Sequence, residues 1–124
     1  KKEAIMEPKT ILVVEDDTNQ RELYIEELKG EGYNAIGAAN GRDALQFASN
    51  QNLDLIILDI NMPGMDGLDT LSHLLEVNRQ IPVIINTAYP SYQESFTAWS
   101  ADAYVVKSSS LDELMGKVKE LLNK

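Results

Sequence analysis

Several absences narrow the chain before any motif is read. Its 124 residues include no cysteine, which removes disulfides, thiol nucleophiles and thiolate metal sites and fits a reducing, cytoplasmic setting. The single histidine, His73, cannot make a zinc site alone; set mid-helix among leucines, it reads as a surface or boundary residue. No apolar run approaches the ~20 residues of a membrane span, and residues 1–8 lack the apolar stretch of a signal peptide. Positive charge is scarce. Eleven Lys and Arg against 20 Asp and Glu leave a net charge of −9, which argues against a direct grip on nucleic-acid phosphates.

What remains is enough for one domain with a single core. Residues 1–8 are polar and aperiodic and read as a tail or a cloning remnant, with the domain over 9–124. Short aliphatic runs bounded by turn signals recur: Thr10–Val14, the weaker Tyr33–Ala39, Leu55–Leu58, Ile81–Asn86 and Ala103–Val106. Runs of this kind are strands buried on both faces. Between them apolar residues return at helical spacing: Leu23, Tyr24 and Leu28; Ala44, Leu45, Phe47 and Ala48; Leu68, Leu71, Leu74 and Leu75. A further helix is expected from about Pro90, with Tyr92, Phe96 and Trp99 on one face, and a last one carries Leu111 to Leu122. Asp17 or Thr18 can cap the first helix, Gly30 and Gly32 end it, and Asn40-Gly41 opens the second. Strands alternating with helices imply an α/β domain with a parallel sheet covered on both faces.

The chemistry sits where the strands stop. The first run ends in Glu15-Asp16-Asp17, the third in Asp59, the fourth in Thr87 and the fifth in Lys107. Singly each has a plainer reading: helix caps, a surface lysine, a strand-end hydroxyl. In a parallel sheet, however, all these ends share one edge, where open α/β sheets place their ligand sites. Neighbouring carboxylates repel unless a cation relieves them, and oxygen-only ligands suit Mg2+ better than zinc. A lysine and a hydroxyl opposite are natural partners for phosphoryl oxygens. The residues alone thus point to a Mg2+-dependent phosphoryl site with a carboxylate at its centre.

The motifs ILVVEDD, LILDINMPGMDG, Thr87-Ala88 and Tyr104 three residues before Lys107 resemble those of bacterial response regulator receiver domains, from about Thr10 to Leu122. The resemblance implies a CheY-like, flavodoxin-like (βα)5 three-layer sandwich with strand order 2-1-3-4-5. It implies that Asp59 is the phosphoacceptor, taking a phosphoryl group from a sensor histidine kinase or phosphotransfer protein in a two-component phosphorelay. Asp16, Asp59 and the backbone carbonyl of Asn61 would hold Mg2+, with Glu15 acting mainly through water; Asp17 would be a helix cap first and an auxiliary ligand second. Lys107 would pair with the phosphoryl group, and Thr87 would bond to it and let Tyr104 turn inward. Ala88 would leave the phosphoryl path open, and Asn61 and Tyr89 would tune its lifetime. Signalling would pass through the face made by the helix from Pro90, the fifth strand and the last helix, to an output domain or protein partner.

Two departures from the family pattern stand out. Ser108, followed by Ser109 and Ser110, replaces the proline that usually follows the lysine in a cis peptide. A cis bond here costs about 3–4 kcal/mol, so the loop is either trans and differently shaped or cis and strained; the sequence leaves both open, with a cis bond the hypothesis attached to the lysine keeping its place. The stretch from Thr87 to Lys107 is also short by a couple of residues, which predicts a short or irregular helix after Pro90. Five of the eight aromatics (Tyr89, Tyr92, Phe96, Trp99 and Tyr104) fall there, either as core or as a partner surface. Two rival functions follow. One is a pseudo-receiver, an interaction module working without phosphorylation. The other is a Mg2+ phosphohydrolase, which lacks its usual second Asp because Asn61 stands there. The chain reads as a stand-alone receiver or as one cut from a longer protein.

Overall fold

The computed structural model describes residues 7–60, 67–78, 80–88 and 101–123. In chain order these form β1 (Thr10–Val14), α1 (Thr18–Gly30), β2 (Asn34–Ala38), α2 (Gly41–Asn50), β3 (Leu55–Leu58), α3 (Gly67–Val77), β4 (Val83–Thr87), β5 (Ala103–Val106) and α4 (Asp112–Leu122). Every pairing is parallel, and the sheet order is β2-β1-β3-β4-β5. The expected helix from Pro90, with Tyr92, Phe96 and Trp99, lies outside the described residues, as do Asn61 and Tyr89.

The aliphatic strands bury both faces because each face has its own helical cover. Alternate residues along a strand point to opposite sides. Leu12, Val14, Ile56, Leu58 and Ile85 pack on one side with Ala44 and Ala48 of α2 and Leu71 and Leu74 of α3. Ile11, Val13, Leu55, Ile57 and Ile84 pack on the other with Tyr24 and Leu28 of α1 and Leu114, Met115 and Val118 of α4. Three layers result. Leu23 departs from the expected α1 face: it is 49% exposed, because Tyr24, one position on, turns the helix's apolar stripe away from it.

Local chemistry sets the helix ends. Asp17 caps α1, its carboxylate accepting from the Gln20 amide at 2.9 Å, and Asn40 caps α2 through the Asp43 amide at 2.8 Å. Gly32, with φ +97°, makes the left-handed turn that leads from α1 into β2. His73 is exposed, its Nδ1 2.8 Å from the Asp69 carbonyl oxygen, as a surface position requires.

Candidate functional site

Register puts the acids side by side. Val14 pairs with Leu58, so the next residues, Glu15 and Asp59, continue that ladder past the strand ends. The Asp59 amide donates to the Val14 carbonyl at 3.0 Å, and the Glu15 amide to that of Ala38 at 3.0 Å. Both carboxylates are buried, whereas Asp16 is exposed. One oxygen from each of Glu15, Asp16 and Asp59 falls within a 4.8 Å cluster. Three hard oxygen donors open to solvent on the Asp16 side fit Mg2+ and its retained waters.

The far wall comes from β4 and β5. Thr87 pairs with Val106, and the Lys107 amide donates to the Thr87 carbonyl at 2.7 Å, one further rung. Lys107 reaches back across the strand ends: its Nζ donates to Glu15 Oε1 at 2.7 Å, to Asp59 Oδ2 at 3.0 Å and to Gln20 Oε1 at 2.7 Å. Burial works against the ammonium, but the bonds and charges of Glu15 and Asp59 together outweigh it, so its pKa is raised and it stays charged at neutral pH. Glu15 is pushed upward by burial and by the facing Asp59 charge, with Lys107 opposing. The ammonium thus neutralises a carboxylate pair that would otherwise repel.

The Lys107–Ser108 peptide is trans, since the described residues contain no cis bond. The lysine nonetheless keeps its place, which corrects the expectation that the two go together. The ammonium is located by its acceptors and by the rung to Thr87, so no constraint from the loop is needed. Ser108 instead starts an exposed turn, its Oγ donating to the Ser110 carbonyl at 2.9 Å.

Thr87 is fully buried. By strand alternation it shares a sheet face with Ile85 and with Tyr104, the partner of Ile85 in the ladder. Tyr104 is half-buried against the core on the α2–α3 side. Ala88 is exposed and, with Gln20, Leu23 and Lys107, borders an open hollow of about 410 Å³ beside the lysine.

Three contributors were not singled out from the sequence. Gln20 joins Lys107, Arg21 donates from Nη1 to the Glu15 carbonyl at 2.7 Å, and Asn86 is 3% exposed beside Tyr24. The signal for Asn86 was present as an amide in an otherwise aliphatic run. Gln20 and Arg21 look like ordinary solvated residues of a first helical turn.

A family model for the response regulator receiver domain matches residues 11–119. The chain belongs to the response regulator receiver family. Among curated relatives of this receiver, the probable transcriptional regulatory protein TcrX of Mycobacterium tuberculosis is 33% identical over 120 residues, covering 95% of the chain and 51% of TcrX. The transcriptional regulatory protein ZraR of Escherichia coli K12 is 37% identical over 114 residues, covering 90% of the chain and 26% of ZraR. The receiver thus spans about half of TcrX and about a quarter of ZraR. Among solved structures, the response regulator TrrA of Thermotoga maritima, in complex with Mg2+-BeF, superposes with a TM-score of 0.89 at 47% identity, covering 92% of this chain and 99% of TrrA. TrrA in complex with the histidine kinase ThkA superposes with a TM-score of 0.86, at 47% identity, covering 92% and 98%.

Proposed function

We propose that this receiver is a phosphorylatable switch in which Asp59 accepts a phosphoryl group from a sensor histidine kinase. The observation that carries the reading is the Asp59 carboxylate, clustered with Glu15 and Asp16 and held 3.0 Å from the Lys107 ammonium. Kinship with TrrA, solved both with Mg2+-BeF and with a histidine kinase, supports it.

In this reading an Asp59 oxygen attacks the donor's phosphorus, the bond from phosphorus to the donor nitrogen breaks, and the donor imidazole leaves. Glu15, Asp16, Asp59 and the Asn61 carbonyl are the residues that would hold Mg2+, which when bound supplies positive charge against the phosphoryl oxygens. Lys107 stabilises the charge that builds on the transferring group. Thr87 then bonds the phosphoryl group, and Tyr104 packs inward on the same sheet face. That change shifts a two-state equilibrium of the surface around β5 and α4, and with it the affinity for an output domain or partner. The domain catalyses its own phosphorylation and dephosphorylation and turns over no diffusible substrate; it grips no nucleic acid itself.

The test is incubation with acetyl phosphate, with and without Mg2+, beside Asp59→Asn. An acid-stable, base-labile adduct that needs both Mg2+ and Asp59 is expected. Absence of any adduct would favour an interaction module working without phosphorylation, and multiple turnover on phosphate esters would favour a hydrolase.

A further inference from the structure

Lysine carries its charge on a flexible four-carbon stem, so its ammonium stays only where acceptors hold it. Lys107 has three donor protons and three acceptors: Glu15, Asp59 and Gln20. Two of these are carboxylates whose engagements change in the reaction proposed above, Asp59 by becoming an acyl phosphate and Glu15 by turning toward a bound cation. Gln20 is neutral and its chemistry does not change.

Gln20 is also anchored. Its backbone amide is capped by Asp17 at 2.9 Å, which fixes the first turn of α1 at the sheet edge. Tyr24, one turn later and 5% exposed, aims its hydroxyl at Gln20 Oε1 at 3.5 Å. The Asn86 side chain of β4 lies beside the Tyr24 hydroxyl and opposes the effect of burial on it. Because an ammonium only donates, the Gln20 carbonyl must be the end that faces Lys107. The serines after Lys107 are exposed, and their hydrogen bonds run within the loop and to the Asp112 amide rather than to the ammonium. We propose that Gln20 is a positioning residue of the phosphoryl site, the fixed acceptor that keeps the Lys107 ammonium in place while Glu15 and Asp59 exchange it for other partners.

This inference rests on the phosphoacceptor reading, and two measurements separate them. In Gln20→Met, which keeps length and removes the acceptor, the rate of Asp59 phosphorylation at saturating acetyl phosphate and Mg2+ falls about five- to tenfold. The Mg2+ concentration for half-maximal rate moves less than about twofold, and in a Lys107→Ala background the same substitution has no further effect beyond about twofold. Independently of phosphorylation, the 15N-labelled Lys107 ammonium gives a solvent-protected proton signal in the parent and in Gln20→Glu, which keeps an oxygen at the same reach. Gln20→Met loses that signal. The proposal is overturned if Gln20→Met phosphorylates like the parent, loses as much without Lys107, or leaves the ammonium signal unchanged. A parent that takes no phosphoryl group sinks the phosphoacceptor reading, while the ammonium signal still decides the role of Gln20.

Discussion

Replacing Lys107 by Met should make the stability of the metal-free domain depend on added dication. The substitution fills a similar volume but leaves two carboxylates, with side chains 3% and 7% exposed, facing each other without the ammonium now 2.7 and 3.0 Å away. Removing one partner from a fully buried pair costs about 3–5 kcal/mol. Two features lower that figure. The lysine side chain is itself 15% exposed, and Glu15, already pushed upward by burial and by Asp59, can take up a proton once the opposing lysine is gone. About 2–3 kcal/mol remains, a fall in melting temperature of roughly 8–15 °C for a domain of this size. Mg2+ at about 100 times its dissociation constant would return about 2.7 kcal/mol, and it meets no competing ammonium in the variant. The pH dependence has a definite sign. A carboxyl whose folded pKa is raised favours the fold below its unfolded value and loses that contribution as pH rises through the folded one. The defect should therefore shrink as pH falls to ~5 and be larger at pH ~8. Urea unfolding of parent and variant, in EDTA and in Mg2+ at both pH values, reads all of this. A metal-free loss below about 0.5 kcal/mol, within the range of ordinary surface changes, or one that Mg2+ leaves untouched, would refute the claim that the ammonium neutralises the pair.

Asp17→Ala should cost about 1 kcal/mol in urea unfolding through loss of the α1 cap, with Mg2+ affinity by calorimetry unchanged; a weakened affinity would make Asp17 an auxiliary ligand after all. Tyr24, raised by burial, Lys107, raised by its carboxylate partners, and Lys119, raised by Glu31, all titrate above the ordinary tyrosine and lysine values of 10.0 and 10.5. Their contributions are complete below about pH 10 and are lost as pH rises through the folded values, so stability should fall above that point, and less steeply in Tyr24→Phe. Two glycines should respond with opposite signs to alanine, because neither added Cβ meets anything within 4 Å. Gly32→Ala, at φ +97°, should lose about 1–2 kcal/mol, and Gly116→Ala, inside α4, should gain about 0.8–1 kcal/mol in thermal unfolding.

The strands and a sheet covered on both faces were legible because the aliphatic runs were short and stopped at turn residues, whereas the strand order β2-β1-β3-β4-β5 came only with the family resemblance. The same punctuation exposed Glu15, Asp16, Asp59, Thr87 and Lys107, each the residue at which an apolar run gives way. Where reading failed, the cause was geometric. Leu23 and Tyr24 are adjacent letters but sit about 100° apart around a helix, and periodicity alone kept both on the buried face. Gln20 could not be found by composition, since a glutamine in a first turn carries no mark of what it reaches. Only the sheet edge above it and the lysine 87 residues away give it a part. The serine in place of the family's proline left cis and trans both open, and the acceptors around Nζ suffice to hold the ammonium beside a trans peptide.

The rung from the Lys107 amide to the Thr87 carbonyl has a consequence for how such a domain can diversify. Lysine and threonine are mounted on the same backbone frame as the acids, one step past the last paired residues of β4 and β5. The connecting loops are therefore not needed as struts. Serines can stand after the lysine, and the turn they form can change its shape or surface, without detuning the reactive edge. The geometry of the acid and lysine cluster is written in the register of the sheet, and the exposed residues after Lys107 lie outside that frame.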